Sequence, residues 1–351
     1  MSAAGNNTTS VITRCMYMRP DEIIEAYIYS AVVFFTILNN SLLIMVMRRH
    51  WNNTNIIMCS MCLSCILFAV FFLLPRKILV GTLRCDPIYC AFISLLGQTF
   101  VIMMNLHLCI VSLDKYLAIT APLHYESIVK KKRVIIALAV VYILSIAASF
   151  LPLIWRPVFQ DRSRSEMSTF CISIREIGWT TANTPQTAQI EEVYYFVFFI
   201  SLFFIPLAIM LLTYGRIYAI ARDHHIRSQP KTPTSGKNGS RRKSLVDSTF
   251  KNIKAARTLA IVVGTFFVFW MPYIIAFFIF RVRQNSEYTP SALIFIQVTV
   301  YIAYCYPVIN PIIYGYFNSN IRKTAINMIR RYKRKESIYS SGSAYSIGRT
   351  E

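Results

Sequence analysis

Two features of this sequence could carry chemistry: a row of cysteines in one apolar segment and a single histidine in another. Cys59, Cys62 and Cys65 recur every third residue, so a helix would carry the three thiols on one side. Their run holds no His, Asp or Glu to complete a metal site, and we expect the thiols to be reduced and packed as small apolar groups. His107 has no nucleophile and acid arranged around it, so it is expected to be packed or hydrogen-bonded. The sequence therefore predicts no enzyme, no metal and no cofactor.

The composition places the chain in a membrane. Of its 351 residues, 55% are apolar and only 15% are charged, with a mean hydropathy of +0.46. A soluble domain has about 45–50% apolar and about 25% charged residues. The balance excludes a disordered chain, a coiled coil and a small disulfide-stapled domain. The net charge of +21 would suit a nucleic-acid partner, but apolar runs interrupt the basic residues throughout, so we expect a lipid bilayer as partner and no nucleic acid.

Seven apolar runs of about 20 residues are long enough to cross a hydrocarbon layer as helices. None alternates like a barrel strand, so the predicted fold class is an all-α membrane protein with a bundle of seven transmembrane helices. The runs are Tyr27–Met47, Ile56–Pro75, Cys90–Val111, Val134–Trp155, Val193–Leu212, Leu259–Phe280 and Leu293–Tyr316.

The distribution of Lys and Arg predicts the orientation. Basic residues concentrate after the first and third runs, in the 216–257 connection and in the tail after the seventh run. Since such residues stay on the cytoplasmic side, the N-terminus is predicted to be extracellular and the C-terminus cytoplasmic, in a multi-pass protein of the plasma membrane. Residues 1–10 carry no visible cleavable signal, so the first run is expected to direct insertion.

The segments outside the bundle differ in composition. Residues 1–24 are predicted to form an outer tail and residues 25–316 the membrane domain, with a flexible inner loop rich in Pro, Gly and Ser at about 223–250. Residues 317–335 space apolar side chains at helical intervals among Arg and Lys, which favours an eighth, amphipathic helix on the inner leaflet over a disordered basic tail. Residues 336–351 are Ser-rich and are expected to be disordered.

Short motifs recur at the ends and bends of the predicted helices. Asn39-Asn40 lies in the first run, and Asp114-Lys115-Tyr116 follows the third. The sixth run has Phe266 and then Trp270-Met-Pro272, and the seventh has Asn310-Pro-Ile-Ile-Tyr314. Proline in a membrane helix frees a carbonyl that needs a polar partner, and beside Pro311 we expect Asn310 to provide it.

In this order, the motifs resemble those of the rhodopsin-like (class A) G-protein-coupled receptors over about residues 31–331. The approach to the sixth helix, Lys254-Ala-Ala-Arg-Thr-Leu-Ala, is most similar to the biogenic-amine branch. The resemblance implies a heterotrimeric G protein as inner partner, with arrestin and receptor kinases as further partners. The residues that it assigns to coupling and activation are Asp114, Lys115, Tyr116, Tyr214, Phe266, Asn310, Pro311 and Tyr314.

The chain departs from this family's pattern at the predicted cytoplasmic ends of its helices and in the middle of the bundle. Lys115 stands where the family has Arg and Asn252 where many members have an acid, which predicts a weak latch between the third and sixth helices and some basal activity. Cys65 replaces the Asp of the family's sodium site. The neighbouring Met104 and Tyr306 are poor sodium ligands, so we expect no sodium modulation. Tyr142 replaces a Trp of the fourth helix, which exchanges one aromatic for another.

The outer pocket implied by the resemblance does not suit an amine. Gly97 occupies the position where amine receptors carry a carboxylate. An aromatic lining with few polar groups predicts a small neutral ligand, although the same residues would also serve for helix packing. Glu191 and Glu192, just outside the fifth helix, are expected to be a solvated rim. The predicted pocket residues are Gln98, Val101, Phe198, Trp270, Tyr273, Phe277 and Tyr304.

Several covalent modifications are predicted on both sides of the membrane. The resemblance implies a disulfide between Cys90 and Cys171, which leaves Cys15 and Cys85 as a candidate second pair of unproven connectivity. Asn6 and Asn7 are glycosylation acceptors in the outer tail. The basic contexts of Ser244 and Ser337 resemble kinase sites, although either serine could stand there by chance.

Two other functional classes fit parts of the pattern. A ligand-independent seven-helix signaller or scaffold would explain the missing amine anchor together with Lys115 and Asn252. A transporter or channel would require paired charges or broken helices at mid-membrane depth, and almost no ionisable residue lies there.

Overall fold

The computed structural model of the chain describes residues 20–78, 87–154, 185–227, 237–282 and 290–347. Every regular element in these ranges is helical, and seven of the helices are long and apolar enough to cross a membrane. The predicted all-α class and the seven spans are therefore confirmed. In chain order the main helices are α1 (Pro20–Met47), α2 (Asn53–Phe68), α3 (Pro87–Thr120), α4 (Lys131–Phe150), α5 (Pro185–Phe199, resuming as Ile205–Arg227), α6 (Lys237–Val282), α7 (Pro290–Phe317) and α8 (Ser319–Ile347).

Shorter helical pieces extend or connect these helices. A π-helix, Ala69–Ile78, continues α2, and a second one, Ile200–Phe204, joins the two parts of α5. A 3₁₀ turn, Leu151–Ile154, ends α4, and a one-turn helix, Tyr125–Ile128, lies between α3 and α4. π-Helical turns are rare and are found frequently at functional sites.

Proline marks the start of alternate helices. The first residues of α1, α3, α5 and α7 are Pro20, Pro87, Pro185 and Pro290. Proline suits the first helical position because its missing N–H would have no partner there and its φ angle is already helical. The helix α2 begins differently, with the side chain of Asn52 accepting a hydrogen bond from the Asn55 amide at 2.8 Å.

The helix α3 is the centre of the bundle. It packs against α2, α4, α5 and α6, and most of its buried apolar side chains belong to one continuous core. Large apolar side chains on the outer faces are exposed, among them Ile143 on α4 and Leu212 on α5. Apolar faces that no protein covers are expected where lipid is the surrounding solvent.

Asparagines of neighbouring helices satisfy the carbonyls that proline leaves without an intrahelical donor. Pro311 cannot donate to the Pro307 carbonyl, which instead accepts a hydrogen bond from Asn40 Nδ2 of α1 at 2.9 Å. The prediction that Asn310 would supply this bond is wrong. Both side-chain polar atoms of Asn310 are buried without a partner among the described residues.

The same arrangement recurs in α5. Pro206 cannot donate to the Leu202 carbonyl, and Asn105 Nδ2 of α3 donates to that oxygen at 2.9 Å. The bond lies beside the π-helical segment of α5 and ties it to the central helix.

We expect Asn40→Leu to lower the free energy of unfolding by about 1–3 kcal/mol, because it leaves the buried Pro307 carbonyl without a donor. Asn40 donates to the Thr36 and Pro307 carbonyls at 2.8 and 2.9 Å. The adjacent Asn39 makes one longer bond, to the Val308 carbonyl at 3.3 Å, so Asn39→Leu is the matched control. Thermal unfolding of the purified proteins provides the comparison, and equal losses of Tm in the two variants would contradict the assignment.

Two predicted boundaries on the inner side require correction. Helix covers much of the predicted loop at 223–250, since α5 continues to Arg227 and α6 begins at Lys237. The predicted loop residues Pro230 and Pro233 fall in the interval 228–236, outside the described residues, while basic helix formers follow them. The helix α8 also continues to Ile347 rather than ending at residue 335, and it passes through Gly342.

The junction between α7 and α8 is built from local hydrogen bonds. Asn318 lies between the two helices, and its Oδ1 accepts from the Asn320 and Ile321 amides at 3.1 and 3.3 Å. The side chains of His50, after α1, and Thr324, on α8, are hydrogen-bonded at 3.1 Å. The start of α8 is thus attached to the bundle at two points.

Candidate functional site

A cavity opens between α2, α3, α5, α6 and α7 in the half of the bundle where α3 begins. Its volume of about 70 Å³ leaves room for a small molecule. Both π-helical segments contribute to its wall. The described lining residues are Phe68, Phe72, Arg76, Ser94, Gly97, Gln98, Val101, Ile102, Phe198, Phe199, Phe203, Trp270, Tyr273, Ile274 and Tyr304.

Six of the seven predicted pocket residues line this cavity. They come from α3, α5, α6 and α7, so the structure brings together residues that are up to 206 positions apart in sequence. The side chain of the seventh, Phe277, lies outside the described residues. The six that meet are Gln98, Val101, Phe198, Trp270, Tyr273 and Tyr304. Their contact with a ligand stays a prediction.

Aromatic rings form most of the cavity wall around Tyr304. Its ring centroid lies 5.6 Å from that of Phe72, nearly perpendicular to it, and 6.3 Å from that of Trp270. The Trp270 ring is also 6.3 Å from Tyr273 in an edge-on arrangement. These spacings are those of favourable aromatic pairs, so the wall is a packed assembly with defined geometry.

At Gly97 the ring of Phe72, from the π-helix that continues α2, packs directly against the backbone of α3. A Cβ atom built on Gly97 would lie 2.3 Å from the Phe72 ring, closer than any real contact. Phe72 therefore occupies the space into which a side chain at position 97 would project. The sequence indicated that the carboxylate of amine receptors is missing here, and the structure adds that an aromatic ring fills its place.

Arg76 is a cavity residue that the sequence reasoning missed. It lies in the cavity wall, where its Nη1 donates to Ser94 Oγ at 3.0 Å. Its guanidinium carbon is 5.5 Å from the centre of the Phe72 ring, within the range of a cation–π interaction.

The spacing of Phe68, Phe72 and Arg76 could have revealed the position of this arginine. Residues four apart share a helix face. Arg76 is therefore expected on the same face as the two phenylalanines, which line the cavity.

At the opposite end of α3, Asp114 is the centre of a buried polar cluster. Thr54 Oγ1 donates to its Oδ2 at 2.7 Å, and Tyr125 OH donates to its Oδ1 at 2.6 Å. The Lys115 ammonium lies 3.2 Å from Oδ2 and also donates to Thr54. Burial and the adjacent carboxylate raise the pKa of Tyr125, so its phenol stays protonated and donates.

The ends of α3, α5 and α6 away from the cavity, called inner here after the predicted orientation, meet through apolar side chains. Ile119, Ile217 and Ala256 are buried against one another, with Tyr116 and Tyr214 packed beside them. Tyr214 is further held by a hydrogen bond from Ser112 Oγ at 3.1 Å. The side chain of Asn252 lies outside the described residues, so the predicted weak polar latch is not tested.

An aromatic column joins the cavity to the inner half of the bundle. The Phe266 centroid lies 6.1 Å from Trp270 in the cavity wall and 5.1 Å from Tyr306 on α7. Phe203 of α5 packs against the same ring at 6.1 Å. Nearby, Cys65 and Met104 contact each other through sulfur at 3.6 Å.

The sequence matches a known family over most of its length. Residues 39–314 match the family described as 7 transmembrane receptor (rhodopsin family). The chain belongs to this family. It is thus a multi-pass membrane receptor and not an enzyme, as the resemblance implied.

Curated relatives of the receptor are named as amine receptors. It is 28% identical to the histamine H2 receptor of Canis lupus familiaris over 333 residues, 90% of this chain and 82% of that protein. It is 27% identical to the human histamine H2 receptor over 335 residues, 91% of this chain and 82% of that protein. The 5-hydroxytryptamine receptor 2 of Aplysia californica is 26% identical over 261 residues, 69% of this chain and 59% of that protein.

His107 and Tyr142 of the receptor have structural roles. His107 is buried, and its two ring nitrogens are hydrogen-bonded to the Met103 carbonyl at 2.6 Å and to Ser60 Oγ at 2.8 Å. The Tyr142 hydroxyl lies 2.9 Å from the same Ser60 oxygen. The three side chains therefore tie α2, α3 and α4 together, which agrees with the interpretation of His107 as a hydrogen-bonded packing residue.

The remaining predicted sites fall largely outside the described part of the receptor. Residues 6, 7, 15, 85 and 171 lie in undescribed ranges, and only the backbone of Cys90, Ser244 and Ser337 is described, each within a helix. In the described ranges the free cysteines are Cys59, Cys62, Cys65, Cys109 and Cys305.

Proposed function

We propose that the receptor transmits an extracellular ligand signal to heterotrimeric G proteins at the plasma membrane, with its N-terminus outside. The aromatic column from Trp270 through Phe266 to Tyr306 is the observation that carries the proposal, because it links the cavity wall to the inner half of the bundle. Family membership supports the same conclusion.

The mechanism is a shift between two packings of the bundle. A ligand that contacts Trp270 and binds the open packing better would favour outward movement of the inner part of α6, hinged at Pro272. That movement would separate Ala256 from Ile119 and Ile217. Lys115, Tyr214 and Tyr314 would then become accessible to the G protein, since all three are now packed inside.

We expect basal signalling because the α3–α6 contact at the inner end is apolar among the side chains that the structure describes. Cells expressing the receptor should show raised cAMP or inositol phosphate without any ligand. Lys115→Ala should abolish this output, since Lys115 is a proposed G-protein contact. Lys130→Ala removes an exposed lysine of the same side and should not.

Two outcomes would count against this expectation. Background-level output from receptor that is present at the cell surface would contradict basal activity and favour a strictly ligand-gated receptor. Raised output that Lys115→Ala leaves unchanged would contradict coupling through this end of α3. The pathway that responds identifies the class of G protein.

A ligand-independent signaller is the second candidate, favoured by the small volume of the cavity. In that case, substitutions in the cavity wall such as Val101→Trp would leave signalling unchanged. A ligand-gated receptor would instead change its output when the wall is filled.

Modifications of the tails complete the proposal. A Cys90–Cys171 disulfide would fix the outer end of α3, with Cys15–Cys85 as a second pair, and glycans would sit on Asn6 and Asn7. Phosphates on Ser244 and Ser337 would add negative charge to basic inner segments, and phosphates on the C-terminal serines would recruit arrestin. The amphipathic α8 would lie on the inner leaflet, held by its basic residues.

A further inference from the structure

We propose that the outer cavity takes a small aromatic carboxylate, with the guanidinium of Arg76 as the group that binds the acid. The proposal deepens the proposed function, since it concerns the ligand class of the same cavity. It replaces the neutral ligand expected from the sequence, because that expectation did not place Arg76 in the wall.

The charge of the cavity points to an anion. Arg76 is the only charged side chain among the described lining residues. Neither of the two carboxylates that the structure describes at this end of the bundle, Glu25 and Glu192, lines the cavity, and Glu25 accepts hydrogen bonds from Gln297 and Tyr301 on α7. A guanidinium offers five N–H donors in a planar fork that matches the two oxygens of a carboxylate.

The position of Arg76 is fixed before any ligand arrives. Its Nη1 donates to Ser94 Oγ at 3.0 Å, and its guanidinium carbon lies 5.5 Å from the Phe72 ring centre. A group held in place by neighbours loses little side-chain entropy when it binds. Arg76 is therefore a preorganised anchor and not a long side chain extended into solvent.

The remaining wall suits an aromatic body attached to the acid. Phe198, Trp270, Tyr273 and Tyr304 present ring faces and edges, and Trp270 Nε1 is a donor with no acceptor among the described residues. The cavity volume of about 70 Å³ favours a one-ring compound.

An amine is disfavoured on two independent grounds. The space next to Gly97, where a carboxylate would have to stand, is filled by the Phe72 ring at 2.3 Å from the Cβ position. An ammonium would also share a confined apolar cavity with the Arg76 guanidinium, and like charges brought together there repel each other strongly. The proposed charge preference of this cavity is thus opposite to the one expected for its relatives, which are named for the amines histamine and 5-hydroxytryptamine.

Three compounds of nearly equal shape test the proposal. Phenylacetate, phenylacetamide and phenethylamine are added in turn, at up to millimolar concentration, to the purified full-length receptor in lipid nanodiscs, and thermal unfolding is followed. Benzoate and 3-phenylpropionate extend the acid series to shorter and longer linkers. We expect at least one acid to raise Tm in a saturable manner, and the amide and amine to have little effect.

Substitution of Arg76 assigns the effect to its guanidinium. Arg76→Gln should weaken acid binding by about 10- to 100-fold, the usual effect of losing a hydrogen-bonded charge partner. Arg76→Lys keeps the charge and should retain part of the affinity, which also guards against misfolding of the Gln variant. Arg49→Gln, at an exposed arginine after α1, is the matched control and should bind like the wild type.

Several outcomes would overturn the proposal. They are the absence of a shift with every acid, a larger shift with phenethylamine, and an acid shift that Arg76→Gln leaves intact. Because unfolding requires no G protein, the two proposals fail separately. An acid that raises Tm without any cellular signal would contradict the proposed function alone, and signalling by a receptor that ignores the acids would contradict the ligand class alone.

Discussion

Asp114→Asn is expected to raise the ligand-independent output of the receptor several-fold. The substitution keeps the shape of the side chain and one oxygen, which can still accept from Tyr125. It replaces the oxygen that accepts from Thr54 with an NH2 donor, and it removes the negative charge beside Lys115. Lys115 is only 8% exposed, and a buried ammonium without a counter-charge is unstable where it lies. It should therefore move toward the inner solvent, which is the position from which it would contact a G protein.

The size of the effect follows from the two-state equilibrium. While the open packing is rare, each loss of about 1.4 kcal/mol in closed-state stability raises its population about tenfold. Breaking a buried pair by removing one partner costs about 3–5 kcal/mol, and the hydrogen bond that Asn retains reduces that cost. A several-fold rise therefore requires only a fraction of the energy of the pair.

The measurement is cAMP and inositol phosphate in cells with matched surface expression. Glu126→Gln makes the same chemical change at an exposed acid of the short helix after α3, so it serves as the control. The double variant Asp114→Asn/Lys115→Ala should return to background, because the liberated charge is then gone. Unchanged output from Asp114→Asn would mean that the Asp114–Lys115 pair does not hold the closed packing.

The sequence predicted the spans well because membrane insertion depends on a local property. A run of about 20 apolar residues identifies a transmembrane helix without any knowledge of its neighbours. The inner ends of α5 and α6 were placed less well, because beyond the lipid the helix no longer needs an apolar composition. There, only proline and glycine limit its length, and the predicted boundaries relied on the change in polarity.

The partners of the proline carbonyls could not be found from the sequence for a different reason. Asn310 is adjacent to Pro311, and local reasoning selected it, whereas the actual donor, Asn40, lies 267 residues before the Pro307 carbonyl. The same limitation affected the cavity. The absence of a carboxylate at Gly97 was visible in the chain, but the Phe72 ring that fills the space belongs to another helix.

The two ends of α3 carry the two halves of the proposed function. Gln98 in the cavity wall and Lys115 in the inner cluster are separated by about 25 Å at 1.5 Å per helical residue. Over such a distance a ligand acts only through elements with two stable arrangements. In the proposed mechanism, the hinge of α6 at Pro272 and the apolar cluster around Ala256 are these elements, and both involve α6, the helix that also carries Phe266 of the aromatic column.

Gly97→Ala is expected to reduce or abolish the response to any ligand of the outer cavity, and to lower the free energy of unfolding by about 1–3 kcal/mol. One methyl group at this position overlaps the Phe72 ring, and overpacking of a filled core typically costs that much. The ring can yield only by moving away from α3, and Phe72 itself lines the cavity and supports Arg76. The substitution thus alters the anchor and the volume of the site together.

The matched control for this change is Gly264→Ala on α6. A Cβ atom at Gly264 meets no atom within 4 Å, so the added methyl should be harmless, and alanine favours a helix over glycine by about 1 kcal/mol. Thermal unfolding with and without phenylacetate compares the two variants in nanodiscs. We expect Gly97→Ala to be destabilised and to lose the acid-induced shift in Tm, and Gly264→Ala to be neutral or stabilised and to keep that shift. This difference would assign the effect to the contact between Gly97 and Phe72. If both variants unfold and bind like the wild type, the approach of α2 to α3 is looser than 2.3 Å implies, and an acidic side chain at position 97 would have room to form the amine site that this receptor lacks.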